Sequence, residues 1–143
     1  TQSCVDLFKT IYPDKIYKQT DHKTAEVVKY YINTFLASKI SFANEIRQIC
    51  DSIEVEYNDV KQLALLDERI GKTHLDAPGH DGNYGFGGTC FPKDLNSFIH
   101  FAELNKVDPI VLKSVWSKNL EVRINKDWEN MPGRAVSKGE NNE

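Results

Sequence analysis

Residues 83–94 (NYGFGGTCFPKD) combine a nucleophilic side chain with a backbone able to present it. Three glycines in four positions permit positive φ angles and a close approach to a ligand. Pro92 suits the first turn of a helix, where its missing N–H has no partner, so Cys90 is predicted to stand just before a helix N-terminus. The partial positive charge there favours the thiolate, the nucleophilic form of cysteine. Lys93 adds positive charge, and Asp94, one turn on, is placed to handle a proton.

Residue types alone leave two interpretations of this stretch open. Cys90 is either a reactive thiol or a small buried hydrophobe beside an ordinary glycine-rich turn. A second pair of polar groups lies on the longest predicted helix, where Lys29 and Asn33 are four residues apart and share a face. Such a pair is either simply solvated, or it donates hydrogen bonds to a negative charge that develops during a reaction.

Five helices are predicted to position these residues, with bounds 3–11, 23–50, 58–67, 92–105 and 109–125. The longest has Asp21 as its expected N-cap and contains neither Pro nor Gly. Its apolar side chains recur at helical spacing: Val28, Ile32, Phe35, Phe42, Ile46 and Ile49. At about 1.5 Å per residue this helix extends roughly 40 Å. A domain of this size cannot cover it, so we predict a partner helix in a second subunit.

The two ends of the chain are predicted to differ from its mainly α centre. Residues 15–20 have the pattern of a short strand, but no second strand is predicted near them. We therefore interpret residues 1–20 as the end of an α/β domain that is missing upstream. Residues 21–125 form the central helical unit. Residues 126–143 are polar and are predicted to be a disordered tail. The chain starts at Thr1 without a methionine, which indicates a processed or excised piece.

Composition argues against several classes of function. The net charge of −3 on 143 residues provides no basic surface for nucleic acid, and no apolar run approaches the roughly 20 residues that span a bilayer. Three cysteines, odd in number and far apart, favour a reducing cytoplasm over a disulfide framework. His74 and His80 have no Cys or Glu at ligand spacing, so no metal site is predicted. The loop of residues 72–84 is instead expected to fold over a substrate.

Three motifs together resemble a known family. They are Gly-Phe-Gly-Gly-Thr-Cys-Phe-Pro-Lys-Asp at 85–94, Lys-x-x-x-Asn-x-Phe-Leu-Ala at 29–37, and Arg-Ile-Gly at 69–71. In their order along the chain, over roughly residues 21–125, they are similar to the central domain of UDP-glucose/GDP-mannose dehydrogenases. Phe91 and Lys93 make the loop most similar to the UDP-glucose 6-dehydrogenase type. The resemblance implies a helical dimerisation domain similar to the C-terminal domain of 6-phosphogluconate dehydrogenase.

The resemblance also implies a reaction and its catalytic residues. The complete enzyme would oxidise the C6 alcohol of a UDP-sugar to a carboxylate in two steps, with two NAD. Cys90 would attack the intermediate aldehyde, and Lys29 and Asn33 would stabilise the oxyanion. Asp94 would then assist the water that hydrolyses the thioester.

Binding residues are implied in the same way. Arg69 would reach the nucleotide sugar bound in the partner subunit of a homodimer. The backbone of Phe86, Gly87 and Gly88 would cradle the sugar, and Lys93 is assigned to the cofactor side.

Two parts of that family are missing from this sequence. No Gly-x-Gly-x-x-Gly follows a strand, so there is no dinucleotide site, and no C-terminal α/β domain is present to hold the uridine diphosphate. The chain alone is therefore predicted to be inactive. Two alternatives remain: a non-catalytic dimerisation and substrate-binding module, or part of a dehydrogenase for another nucleotide sugar, such as GDP-mannose or a UDP-N-acetyl-hexosamine.

Overall fold

The computed structural model of the chain describes residues 2–131, and their regular secondary structure is helical. The α-helices are α1 (Gln2–Ile11), α2 (His22–Ser52), α3 (Tyr57–Ala64), α4 (Cys90–Leu104) and α5 (Ile110–Val122). Two 3₁₀ turns, Glu68–Ile70 and Asp127–Asn130, complete the order. The predicted mainly α fold is confirmed. None of these helices is long and apolar enough to cross a membrane within the described range.

Helix α2 is the element on which the others pack. Its N-cap is Asp21, as predicted, because the carboxylate accepts a hydrogen bond from the Thr24 N–H at 3.0 Å. The helix contains 31 residues, and it contacts α3, α4 and α5. Its buried face is made of small and polar side chains: Thr34, Ala37, Ser41, Ala43 and Asn44. Small side chains there let the α4 and α5 backbones approach closely.

The apolar stripe predicted for α2 points away from this contact face. Its members Val28, Ile32, Phe35, Phe42 and Ile49 are between 50% and 63% exposed. Only Ile46 of the predicted set is partly buried, against Ala43, Cys50 and Tyr57. The described part of the chain therefore leaves most of this stripe uncovered, and the predicted partner helix stays a prediction.

Two apolar clusters hold the loop between α3 and α4 in place. The first joins Ala37, Leu95 and Val115 of three helices to Phe86 of the loop. The second joins Ala43 and Cys50 of α2 to Tyr57 and Ala77. The Tyr57 hydroxyl donates to the Leu75 carbonyl at 2.6 Å, and burial raises the pKa of Tyr57 to about 12. The loop is thus anchored at two points, although it contains little regular structure.

The strand predicted at residues 15–20 is absent. These residues have no regular structure after Lys15, and the Ile16 side chain is 99% exposed. The Tyr17 hydroxyl instead donates to the carbonyls of Phe8 and Tyr12, both at 3.0 Å, and holds the segment against the end of α1. The prediction was wrong because a β pattern forms a strand only where a second strand can pair with it.

Several other features differ from the sequence-based prediction, and α5 ends at Val122 rather than at residue 125. Helix α3 ends at Ala64 and is followed by a separate 3₁₀ turn, where a single helix to residue 67 was predicted. Helix α4 starts at Cys90 itself rather than just after it. The disorder predicted from residue 126 is wrong for 126–131, because Trp128 is only 4% exposed and lies 5.5 Å from the Trp116 ring. Residues 132–143 of the predicted tail lie outside the described residues.

Candidate active site

Cys90 is the first residue of α4 and its side chain is exposed. The N-cap residue Thr89 forms no side-chain capping bond, so its hydroxyl does not occupy the free N–H groups of the first turn. Its Oγ1 lies 3.8 Å from the Cys90 sulfur. A sulfur atom at this position is close to the positive end of the helix dipole, which stabilises an anion.

Asp94, one helical turn after Cys90 on α4, connects α4 to α2. Its side chain is 2% exposed. Its Oδ1 accepts from Lys29 Nζ at 3.1 Å, and its Oδ2 accepts from Asn33 Nδ2 at 2.6 Å. Cys90 and Asp94 are four residues apart on α4, as Lys29 and Asn33 are on α2, so each pair shares a helix face. The structure therefore brings the predicted catalytic residues to the contact between two helices.

The charges in this cluster are fixed by its hydrogen bonds. Burial acts to raise the pKa of Asp94, but the hydrogen bonds from Asn33 and Lys29 outweigh it and the pKa lies below its ordinary value. The pKa of Lys29 is raised, chiefly by the hydrogen bond to Asp94, with a smaller attraction from Cys90. At neutral pH the cluster thus holds a carboxylate that accepts hydrogen bonds and an ammonium that donates them. Lys29 and Asn33 each retain N–H groups beyond those bound to Asp94.

We expect the Asp94 ion pair to make stability depend on acid pH. A depressed carboxyl pKa stabilises the folded state above the unfolded value, and this stabilisation is lost as the pH falls through the folded value. Asp94→Asn, which turns an amide toward two donors, should therefore cost about 2 kcal/mol at pH 7. The difference from wild type should shrink below about pH 4. Urea unfolding from pH 7 to 3 measures it, and a pH-independent difference would contradict the assignment.

The glycine-rich loop is held by side chains that the sequence analysis missed. Asn119 of α5 is fully buried and clamps Phe86, since its Oδ1 accepts from the Phe86 N–H at 2.7 Å and its Nδ2 donates to the Phe86 carbonyl at 3.0 Å. Asn44 of α2 accepts from the Gly85 N–H at 3.2 Å. The available signal was an asparagine among the apolar positions of a helix, because a buried amide needs partners.

Phe86 itself belongs to the core, with its side chain 3% exposed and its ring against Phe91 and Trp116. The Phe86 side chain is therefore not accessible to a ligand. A cavity of about 440 Å³ lies beside Gly87, and its lining also includes Lys72, His74 and His80. Among residues 2–131 the buried His74 Nδ1 has no hydrogen-bond partner, and burial lowers the pKa of this imidazole. The cavity has the size and mixed polarity of a small-molecule site.

Two predicted site residues lie at the surface. Arg69 is in the first 3₁₀ turn with its side chain 89% exposed, and its guanidinium pairs with Asp67. Lys93 is 44% exposed, and its Nζ lies 3.5 Å from Asp94 Oδ1, at the margin of the cluster. Arg69 thus faces outward, and Lys93 adds a second positive charge near Asp94.

Comparison with known proteins gives consistent matches. Residues 23–121 match the model of the UDP-glucose/GDP-mannose dehydrogenase family, central domain. The UDP-glucose 6-dehydrogenase of Rickettsia prowazekii is 42% identical over 100 residues, which are 70% of this chain and 22% of that protein. A Bacillus subtilis UDP-glucose 6-dehydrogenase is 43% identical over 101 residues, 71% of this chain and 22% of that protein.

A solved structure agrees in fold. The UDP-glucose dehydrogenase of the archaeon Pyrobaculum islandicum superimposes with a TM-score of 0.70 at 33% identity, covering 85% of this chain and 27% of that one. The chain thus spans about a quarter of the length of these relatives.

Proposed function

The chain belongs to the UDP-glucose/GDP-mannose dehydrogenase family, and from this premise we propose that it is the part of a UDP-glucose 6-dehydrogenase that carries the covalent catalyst. The observation that supports this most strongly is the cluster in which Lys29 and Asn33 of α2 bind Asp94 one turn after Cys90. Two hydrogen-bond donors, a carboxylate and a thiol therefore lie near the N-terminus of α4.

The proposed covalent step uses these groups in fixed roles. The Cys90 thiolate adds to the C6 carbon of the sugar aldehyde, and the electron pair of the C=O bond moves to oxygen. The N–H groups that Lys29 and Asn33 do not give to Asp94 donate to this oxyanion. After oxidation to the thioester, water attacks the same carbon and the Cys90 thiolate leaves. The ionised Asp94 accepts the proton of that water.

NAD is the oxidant that the reaction requires, and it would accept both hydrides. Among residues 2–131 there is no strand–helix unit of the kind that binds a dinucleotide pyrophosphate. We therefore assign no step at NAD to this chain and expect no NADH from it alone. Its three cysteines are free, which fits the proposed location in a reducing cytoplasm.

The test of this function is competition at Cys90. The chain is incubated with UDP-glucose carrying an aldehyde at C6, and iodoacetamide labelling is then measured by peptide mass spectrometry. The aldehyde should slow labelling of Cys90 and leave Cys4 unchanged, whereas ordinary UDP-glucose lacks an electrophilic carbon and should protect less. The GDP-mannose aldehyde tests the alternative substrate. Equal labelling of Cys90 with and without any aldehyde would favour the non-catalytic binding module.

Homodimer formation through α2 is the second part of the proposal. Val28, Phe35, Phe42 and Ile49 recur every seven residues along the exposed stripe, a spacing typical of paired helices. A second copy would cover both stripes at once. The outward-facing Arg69 would then be available to a ligand of the partner.

We expect the chain to sediment as a dimer at about tens of micromolar, an ordinary range for homodimers. Phe42→Glu should convert it to a monomer, since a charge at the centre of the stripe is desolvated on pairing. Leu66→Glu is the matched control, because Leu66 is 78% exposed after α3 and lies off α2. A wild-type monomer, or equal effects of the two variants, would contradict the assignment.

A further inference from the structure

We propose that Arg123 and Asp127 are positioning residues that brace the glycine-rich loop behind Cys90. Both follow α5 in the structure, whereas the sequence pattern predicts a helix as far as residue 125 and a disordered tail from residue 126. The inference rests on the proposed role of Cys90 as the nucleophile and adds two residues outside its motifs. Apart from each other, the partners of these two side chains are Asp81, Gly88 and Asn125, which lie outside the Lys29–Asp94 cluster.

Asp127 holds the loop two residues before the nucleophile. Its two carboxylate oxygens accept from the Gly88 N–H at 3.1 and 3.0 Å. Gly88 has a φ of 71°, the left-handed conformation in which glycine is favoured. A charge-assisted bond to this N–H therefore fixes the backbone at the point where the chain turns into α4.

Arg123 ties Asp127 to the other end of the loop. Its side chain is 2% exposed, and its Nη1 lies 2.8 Å from Asp81 Oδ2. Its Nη2 is 3.6 Å from Asp127 Oδ1, and its Nε donates to the Asn125 carbonyl at 2.8 Å. A buried guanidinium is costly unless its donors are satisfied. Nη1 and Nε lie within hydrogen-bond distance of their acceptors, whereas the 3.6 Å contact of Nη2 is an ion pair. Together these contacts connect Asp81 with Asp127 and, through Asp127, with Gly88.

The brace also touches the loop directly at Gly87. A Cβ atom on Gly87 would lie 2.2 Å from Arg123 Nη2 and 2.4 Å from Asp127 Oδ1. Any larger residue at position 87 would therefore require these two side chains to move. Trp128, the neighbour of Asp127, packs on Trp116, whose ring in turn contacts Phe86 of the loop. The segment after α5 is therefore anchored independently and can act as a fixed support.

The consequence concerns the geometry of the first turn of α4. With Gly88 fixed, residues 88–90 enter the helix in one conformation, and the free N–H groups of the first turn keep their position relative to the Cys90 sulfur. Without the Asp127 carboxylate, this entry is free to rearrange. The stabilisation of the thiolate by the helix terminus then weakens, while the bonds of Asp94 to α2 remain.

The test compares Asp127→Ala with Asp127→Asn, which keeps an oxygen acceptor for Gly88. Tyr57→Phe is a stability control, because it removes a buried hydrogen bond in the second cluster. Glu129→Ala is a charge control on an exposed residue of the same turn. Two quantities are measured on the full 143-residue chain: the hydrogen exchange rate of the Gly88 amide by NMR, and the rate of Cys90 alkylation by iodoacetamide at pH 7.

Asp127→Ala should speed Gly88 exchange at least about tenfold, the factor for a bond of about 1.4 kcal/mol, and should slow Cys90 alkylation about two- to fivefold. Asp127→Asn should restore a large part of both, and the two controls should change neither. Wild-type values in Asp127→Ala, or equal changes in Tyr57→Phe, would overturn the brace. A third outcome separates the brace from the proposed function. If the Gly88 amide of the wild-type chain exchanges slowly but Cys90 is alkylated no faster than an ordinary thiol, the result counts against the proposed function.

Discussion

Replacing Asn119 with alanine is expected to lower the free energy of unfolding by about 3 kcal/mol, because two backbone groups would be left buried without partners. Asn119 is 0% exposed, and its amide bonds both the N–H and the carbonyl of Phe86. Phe86 is itself only 3% exposed, so both groups are buried. Urea unfolding followed by circular dichroism measures the loss.

Asn105→Ala is the matched control for this prediction. The Asn105 amide also donates to a backbone carbonyl, that of Phe101, but the residue is exposed at the end of α4. Water can replace that bond, so the cost should stay below about 1 kcal/mol. Similar losses in the two variants would show that the Phe86 clamp does not stabilise the loop.

Gly85→Ala should be the most destabilising of the possible glycine substitutions in this loop's positive-φ turns, at about 3 kcal/mol. Gly85 has a φ of 69°, and an added Cβ would lie 2.4 Å from Asn119 Oδ1 and 3.2 Å from Arg123 Cβ. The variant therefore combines backbone strain with a steric conflict at a buried amide. The same unfolding measurement applies.

Gly82→Ala separates these two causes. Gly82 has a similar φ of 73°, but apart from its chain neighbours no atom in the described part of the chain lies within 4 Å of the added Cβ. Only the backbone strain remains, so the expected loss is about 1 kcal/mol. If Gly82→Ala cost as much as Gly85→Ala, the close packing of Gly85 against α5 would be contradicted.

Local sequence patterns predicted the helices well and the strand badly. Helix α2 was predictable from Asp21 and the absence of Pro and Gly, because capping and propensity act within a few residues. The strand at 15–20 required a partner that the pattern cannot supply. The burial of Trp128 against Trp116 was also invisible, since a contact between α5 and a polar segment depends on tertiary packing.

The sequence predicted the motif residues of the candidate site, but it did not predict the residues that hold the glycine-rich loop in place. The spacing of Lys29 and Asn33 predicted that they share a helix face, and Asp94 was predicted to lie one turn after Cys90. That Cys90 belongs to the same helix as Asp94 became known only from the structure. Asp94 accepts hydrogen bonds from both Lys29 and Asn33 because of the way α2 packs against α4. A local sequence pattern does not predict that packing. Asn119 and Arg123 stayed hidden for the same reason, because polar residues on a helix usually face water.

The central claim is that the fold prepares Cys90 as a nucleophile. Its most direct test compares the rate at which iodoacetamide alkylates Cys90 at pH 7 in the folded chain with the rate in the chain unfolded by urea. The alkylation rate of glutathione in each solution corrects for the effect of urea on the reagent. The N-terminus of a helix typically stabilises an exposed anion beside it by about 0.3–1 kcal/mol. The folded chain should therefore react about two- to fivefold faster than the unfolded one. A Cys90 that reacts at the same rate or more slowly when folded would contradict the assignment of this residue as a nucleophile prepared by the fold.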